Sequence, residues 1–355
     1  MTKNNKLQKV LVLNRESLVA SKEISLSTST RVKEVLDFLV YKKHLEYIEV
    51  FDSNPIAKRA IDWSNVMILS KHRSVKSLEL VKYAKQKKKI VIYDLDDWIF
   101  SFPNISQGSK IYTENYALDI LKYCDFITVA NSEILKRTKS ILPNRDVKLL
   151  PNGMWIDRLT HPSNIKYSTK AKEKKIVFSN TDNLKIDNSK QSFLEALQFF
   201  FFKNPEYILD FYGDPFPEIF SLPFLHFCNR ISYQQYMKII LSGNYEFAVI
   251  PLGSNEEPQN VEFNDCKNPF KYINYGAAKV PGIYSDSKIY KDNIKNEVTG
   301  LLVKNEYDDW YKAMNDLSKD KYLQKKIREE AFRDVCKRFN IYQPAKILLS
   351  LIFAI

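Results

Sequence analysis

The sequence predicts an α/β protein of two doubly wound domains in tandem, each a parallel sheet wrapped by helices, with a cleft between them. Three observations predict it. Apolar runs of strand length alternate with segments of helical period from end to end, the pattern of parallel sheets covered on both faces. The 355 residues exceed what one hydrophobic core ordinarily organises. A polar stretch at 160–173 interrupts the alternation, which then restarts. The expected organisation is a first domain over 1–160, a linker over 161–174, a second domain over 175–338, and a C-terminal helix within 339–355 that packs back on the first domain.

In the first domain the runs 10–13, 47–51, 66–69, 90–93, 126–130 and 147–150 are short and rich in β-branched residues, and read as strands. Val32, Val35, Leu36, Leu39 and Val40 fall at the spacing of an amphipathic helix that Thr30 is placed to cap. Leu118, Leu121 and Tyr123 mark a helix before the fifth strand. The second domain opens with a strand at 175–178, followed by Phe193, Ala196, Leu197, Phe200 and Phe201 at helical spacing. Strands follow at 207–212, 224–227, 247–251 and 282–284. Trp310, Ala313, Met314 and Leu317 make one late helix, and Leu323, Ile327, Ala331 and Val335 the next.

Composition narrows the class. Hydrophobic content of 45% with 27% charged residues is that of a globular chain and excludes intrinsic disorder. No window reaches the roughly 18 uninterrupted apolar residues of a membrane span, and residues 1–9 carry no signal-peptide stretch, so a cytoplasmic protein is expected. Cys124, Cys228, Cys266 and Cys336 stand far apart, which suits free thiols in a reducing compartment. The net charge of +12 is uneven, since residues 1–160 hold 27 Lys+Arg against 18 Asp+Glu. That half attracts an anionic partner, whether nucleic acid, anionic lipid or a phosphorylated acceptor, unless it is simply a solvated basic surface.

Ligands of doubly wound domains bind outside the carboxyl ends of the strands, which points to residues just after strands in the interdomain cleft. Three clusters qualify. Asp94, Asp96 and Asp97 follow the run 90–93, where they could bond sugar hydroxyls, act as a general base, hold a divalent metal, or cap a turn. Asn180, Thr181 and Lys185 follow the first strand of the second domain, where a diphosphate needs a cation and Lys185 supplies one, though a lone loop lysine is also ordinary surface. With eight glycines and no G-x-G-x-x-G, NAD and FAD are not the expected ligands. In the third cluster, residues 264–278, Pro269 suits a helix's first turn. A helix starting near Asn268 would aim its N-terminus and Lys267 at the cleft, the geometry of a phosphate site. Lys271 and Asn274 lie one turn along on one face, in reach of phosphate and ribose, with Asn264 just upstream.

These stretches, in this order, resemble the retaining GT-B glycosyltransferases of the large family four, particularly bacterial enzymes that build surface polysaccharides. Residues 90–97 resemble their first-domain acidic motif. Leu150-Pro151-Asn152-Gly153 resembles their PNG turn. Asn264-x-x-Lys267, Lys271-x-x-Asn274-Tyr275, 281–286 and 299–303 resemble the donor site. The resemblance implies two Rossmann-like domains and transfer from a nucleotide sugar to a glycan or lipid-linked acceptor, without a metal cofactor. It also implies work at the inner membrane face in capsule or O-antigen synthesis. The family usually has Glu where Asn274 and Cys266 stand; an Asn oxygen still accepts ribose hydroxyls. Its glycine-rich loop after the first strand is replaced by Asn14-Arg15-Glu16-Ser17.

The expected reaction has Lys185, Lys267 and Lys271 neutralising the leaving diphosphate, while Asp94, Asp96 and Asp97 position or deprotonate the acceptor hydroxyl. One rival is a GT-A type enzyme with Asp94 and Asp96 as a metal-binding pair. Another is a catalytically silent partner or nucleic-acid-binding protein. The basic run 82–89, with Tyr83 its one aromatic, matches nucleic-acid binding only in part.

Overall fold

The computed structural model describes residues 7–15, 25–100, 116–159, 174–180, 188–242, 245–253 and 258–354. Strands β1 (Gln8–Asn14), β2 (Leu45–Phe51), β3 (Val66–Ser70), β4 (Ile90–Leu95), β5 (Phe126–Val129) and β6 (Val147–Leu149) form one wholly parallel sheet in the order β2-β1-β3-β4-β5-β6. A second parallel sheet comprises β7 (Lys174–Asn180), β8 (Tyr207–Gly213), β9 (Leu225–Cys228), β10 (Tyr245–Ile250), β11 (Gly282–Ser285) and β12 (Leu301–Val303), in the order β12-β11-β10-β7-β8-β9. Val10, Leu11, Val12 and Leu13 are all fully buried, because helices cover both faces of the sheet; such a strand reads as a continuous apolar run. Strand order reverses between β1 and β3 in the first sheet and between β7 and β10 in the second. Each reversal leaves a crevice at the carboxyl ends of its strands.

The first amphipathic helix differs from expectation. A π-helical turn, Thr28–Lys33, runs into the helix Glu34–Tyr41, so Thr30 sits inside it and donates its hydroxyl to the Leu26 carbonyl (2.9 Å) instead of capping. Helices Ala57–Trp63, Val75–Gln86 and Ser132–Ile141 complete the crossovers with Ala117–Tyr123. Ser74 caps the second of these and Asn131 the third, each side chain accepting from a first-turn backbone N–H.

Two chain segments cross between the sheets side by side. Met154 N donates to the Phe339 carbonyl (2.8 Å) and Ile341 N to the Met154 carbonyl (3.0 Å). Gly153 is required here, since a Cβ would stand 2.5 Å from Pro344 Cγ. After the return crossing, the helix Tyr342–Ile352 buries Ala345, Leu348, Leu351 and Ile352 in one cluster with Val10, Val12, Val35 and Leu36. The last residues of the chain thus complete the core of the first. Apart from Lys174, the expected linker lies outside the described residues.

Gly213 ends β8 at φ +111°, where a Cβ would lie 1.8 Å from the Asn180 carbonyl oxygen at the end of β7. Gly213→Ala is expected to cost several kcal/mol by prying the two strand ends apart, read as a lower denaturant midpoint at unchanged slope.

Candidate functional site

The carboxyl ends of the two sheets face one another, and β4 sends its three acids to the meeting place. They are not equivalent. Arg31, from the π-helical turn, clasps Asp94 with Nε to Oδ2 (2.9 Å) and Nη2 to Oδ1 (2.8 Å), and Thr128 of β5 adds its hydroxyl to Oδ1 (2.8 Å). Both side chains are 1% exposed. Burial alone would lower the Arg31 pKa, but Asp94, with Asp96 and Asp97 behind it, outweighs burial and raises it, so the guanidinium keeps its charge. Of the three acids expected to follow the strand into the cleft, Asp94 is instead turned inward, with both its oxygens engaged within the first half. Among the described residues, no group of three or more His, Cys, Asp and Glu is arranged to hold a metal ion.

Asp96 and Asp97 do reach the cleft. Lys71, just past β3, lies 3.0 Å from each. Its φ of +53° is a conformation that side-chain-bearing residues seldom adopt, and such strain gathers at functional sites. From the second half, Lys267 Nζ approaches Asp97 Oδ1 (3.8 Å) while resting over the Phe263 ring (4.0 Å). Burial pushes Asp97 up, but Lys267 and Lys71, with help from Arg15, prevail and hold its carboxyl below the usual range.

Around this ion cluster, side-chain amides stitch the halves together. Asn268 Nδ2 donates to the Asp96 carbonyl (2.7 Å), Asn152 Nδ2 to Asn268 Oδ1 (2.9 Å), and Asn131 Nδ2 to the Lys267 carbonyl (3.2 Å). Asn152 is also bonded by Arg31 Nη1 (2.6 Å), so the crossing segment, the buried ion pair and the second half form one network. Cys266, fully buried, packs in the apolar cluster of the first half with Trp98, Ala130 and Ile134.

The helix Phe270–Ala277 begins at this junction with Pro269 as its N-cap residue, two residues later than the Asn268 start that the sequence suggested. Lys271, in its first turn, donates to the Ser179 carbonyl at the end of β7 (2.5 Å), so its ammonium lies at the β7/β10 crevice. One turn on, Asn274 is buried and its Oδ1 accepts from the Tyr233 hydroxyl (2.9 Å). Tyr275 bonds Ser179 Oγ (3.2 Å) and the Tyr236 hydroxyl (2.7 Å). Asn180 donates to the Asp214 carbonyl (3.3 Å), and Asn264 to the Gly253 carbonyl (3.2 Å). Thr181 and Lys185 lie outside the described residues. Asp96, Asp97, Lys267 and Lys271 are thus gathered at the two facing strand edges, with Asn274 a turn deeper, whereas Asn180 and Asn264 serve the backbone of neighbouring loops.

Tyr233 opens the helix Tyr233–Ser242, which forms one wall of a cavity of about 770 Å³. The opposite wall is the helix Glu34–Tyr41, and the crossing residues Met154, Trp155 and Arg158 form the floor. Glu34 accepts from Trp155 N (2.8 Å) on Oε1. Burial is the main reason that its carboxyl rises to about 7; Trp155 N and Arg158 act the other way. A carboxyl whose folded pKa lies above its unfolded value costs stability once ionised, so the loss sets in as pH rises from about 4.5 to about 7. Glu34→Gln is expected to be more stable than the parent at pH 8, by about 2 kcal/mol after allowance for the solvent reaching this half-buried group, and no more stable at pH 4. Urea melts at the two pH values check this.

The basic run 82–89 is largely committed to local partners. Lys85 pairs with Asp125 (2.6 Å), Lys89 donates to the carbonyls of Asp62 and Ser64, and Lys82 and Lys87 lie over Tyr123 and Tyr83. Arg31, Lys71, Asn131 and Tyr233 escaped the sequence reading, and Asn268 entered it only as a helix start. Asn152 carried a signal inside Pro151-Asn152-Gly153, and Lys71 stood two residues past the predicted strand 66–69.

No protein-family model and no curated protein matches this sequence. Solved structures do match its fold. HepE of Anabaena, crystallised with UDP and glucose, superposes with a TM-score of 0.63 at 12% identity, over 98% of this chain and 100% of HepE. A glycosyltransferase of Rickettsia africae gives 0.64 at 13% identity over 98% of each chain. Sucrose-phosphate synthase of Thermosynechococcus elongatus gives 0.61 at 12% identity, again over 98% of each. With its two parallel six-stranded sheets facing across a cleft, the chain has the GT-B fold, two Rossmann-like domains.

Proposed function

We propose that the protein is a glycosyltransferase that moves a sugar from a nucleoside diphosphate sugar to a hydroxyl of a glycan or lipid-linked acceptor. One observation carries the reading. Lys267 and Lys271 stand at the start of a helix beside the β7/β10 crevice, and across the cleft lie Asp96 and Asp97, already organised by Lys71. Negative charge grows on the departing diphosphate during such a transfer, so cations held in place before reaction stabilise the transition state more than the ground state. The helix N-terminus adds backbone N–H groups to the same end.

Asp97, kept ionised by two lysines, serves as a hydrogen-bond acceptor for the incoming hydroxyl and is too weak a base to remove its proton outright. Asp94 belongs to the scaffold, and a metal-bound Asp94–Asp96 pair is disfavoured because Arg31 and Thr128 hold both Asp94 oxygens. Lys185 and Thr181 are assigned to the donor side on sequence position alone. The complexes of HepE with UDP, UDP-glucose, and UDP with glucose support a nucleotide-sugar donor. Retention of configuration, a role in surface polysaccharide synthesis and contact of the basic first half with an anionic membrane face extend the reading from the sequence resemblance. No described helix is long and apolar enough to cross a membrane.

The test is isothermal titration and turnover with a panel of UDP-, GDP- and ADP-sugars, with and without EDTA. Saturable binding of at least one donor, with turnover that survives EDTA, is expected. Absence of binding across the panel refutes the assignment.

A further inference from the structure

Resting on the donor site just proposed, we infer that the cavity beyond Tyr233 receives the nucleobase of the donor, and that Glu34, contributed by the opposite half of the molecule, selects a base with two adjacent N–H donors, as guanine has. Position comes first. The sugar to be transferred must lie on the Asp96–Asp97 side of the diphosphate, where the acceptor enters. The nucleoside therefore extends the other way, along the helix from Lys271 in its first turn to Asn274 a turn later. Asn274 is one hydrogen bond from Tyr233 (2.9 Å), and Tyr233 is part of the cavity wall.

The cavity also has the size and chemistry of a base pocket. At about 770 Å³ it falls within the range of small-molecule sites. Met154, Trp155, Tyr233 and Met237 line it with flat or deformable apolar surface, and the Trp155 ring is braced edge-on by Phe38 (centroids 5.3 Å). Into this lining Glu34 brings a carboxyl whose Oε1 accepts from the crossing backbone at Trp155. A carboxylate offers about four lone-pair sites, so it can take two parallel N–H bonds from a guanine edge. Uracil presents a single N–H and satisfies half of that arrangement. Because Glu34 sits on the first half and Asn274 on the second, the base would bind only where both halves meet.

Competition titrations of the chain at pH 8, where the Glu34 carboxyl is ionised, with GDP, UDP and inorganic pyrophosphate test the inference, using Glu34→Gln, a substitution of equal size. GDP is expected to bind the parent at least tenfold more tightly than UDP. Glu34→Gln should weaken GDP at least tenfold and leave pyrophosphate unchanged, which also reports that the diphosphate site is folded. Equal or stronger binding of UDP by the parent, or unaltered GDP binding by Glu34→Gln, overturns the inference and leaves the proposed function standing. Failure of every nucleoside diphosphate to bind overturns both.

Discussion

Replacing Arg31 with alanine lowers the stability of the folded chain by about 3–5 kcal/mol, because it strands Asp94 as a buried carboxylate without its counter-charge. The magnitude follows from the geometry. The pair is bidentate, 1% exposed on both sides, and placed between β4, β5 and the crossing segment. Losing Arg31 also removes donors from Asn152 Oδ1 and the Leu150 carbonyl, so the damage extends to the link between the halves. Thermal melts should show a drop on the order of 10 °C. The double change Arg31→Met with Asp94→Leu should recover most of it, since a buried ion pair exchanged for apolar groups of similar volume is often neutral. A loss below about 1 kcal/mol in Arg31→Ala would mean that the pair is hydrated and worth no more than a surface bridge.

Lys271→Ala and Lys267→Ala are each expected to lower kcat/KM for sugar transfer by about a hundredfold, the scale of one electrostatic contact to a developing charge. The two effects should combine to less than their product, because both cations act on one leaving group. Lys267 has a second effect. Its removal leaves Asp97 with Lys71 and the weaker influence of Arg15, so the Asp97 carboxyl rises toward its ordinary range and the acid limb of the pH–rate profile moves upward. Lys271→Ala should move that limb less, because Lys271 is bonded to the Ser179 carbonyl while Lys267 and Lys71 are the leading charges that lower Asp97. Measuring both profiles separates loss of an anion ligand from general disturbance of the helix.

How far the site could be read from the residues depended on the range of each interaction. Residues 90–97 announced acids past a strand, because a fully buried parallel strand must be an apolar run and its end must meet solvent or a cleft. Nothing local distinguished Asp94 from Asp96 and Asp97. Its partner Arg31 lies 63 positions away in a turn of irregular helix, and only packing of β4 against that turn brings the guanidinium to it. Cys266 could be recognised as a departure from an acid, but not as part of the apolar cluster of the other half. Thr30 misled, because Ser-Thr-Ser-Thr favours a cap as readily as it tolerates a helix interior when its hydroxyl turns back to the Leu26 carbonyl.

By itself the sequence determined the two parallel sheets, most helix faces, and the presence of cations at the start of a helix in the second half, since each follows from periodicity or capping over fewer than twenty residues. Tertiary structure decided which acid is buried against Arg31 and which meet Lys71 and the second half, how Asn131, Asn152 and Asn268 tie the halves together, and that the helix Tyr342–Ile352 completes the first core. Those outcomes depend on contacts across 63 to more than 300 residues, and ion pairs and amide bridges have no sequence period from which they could be foreseen.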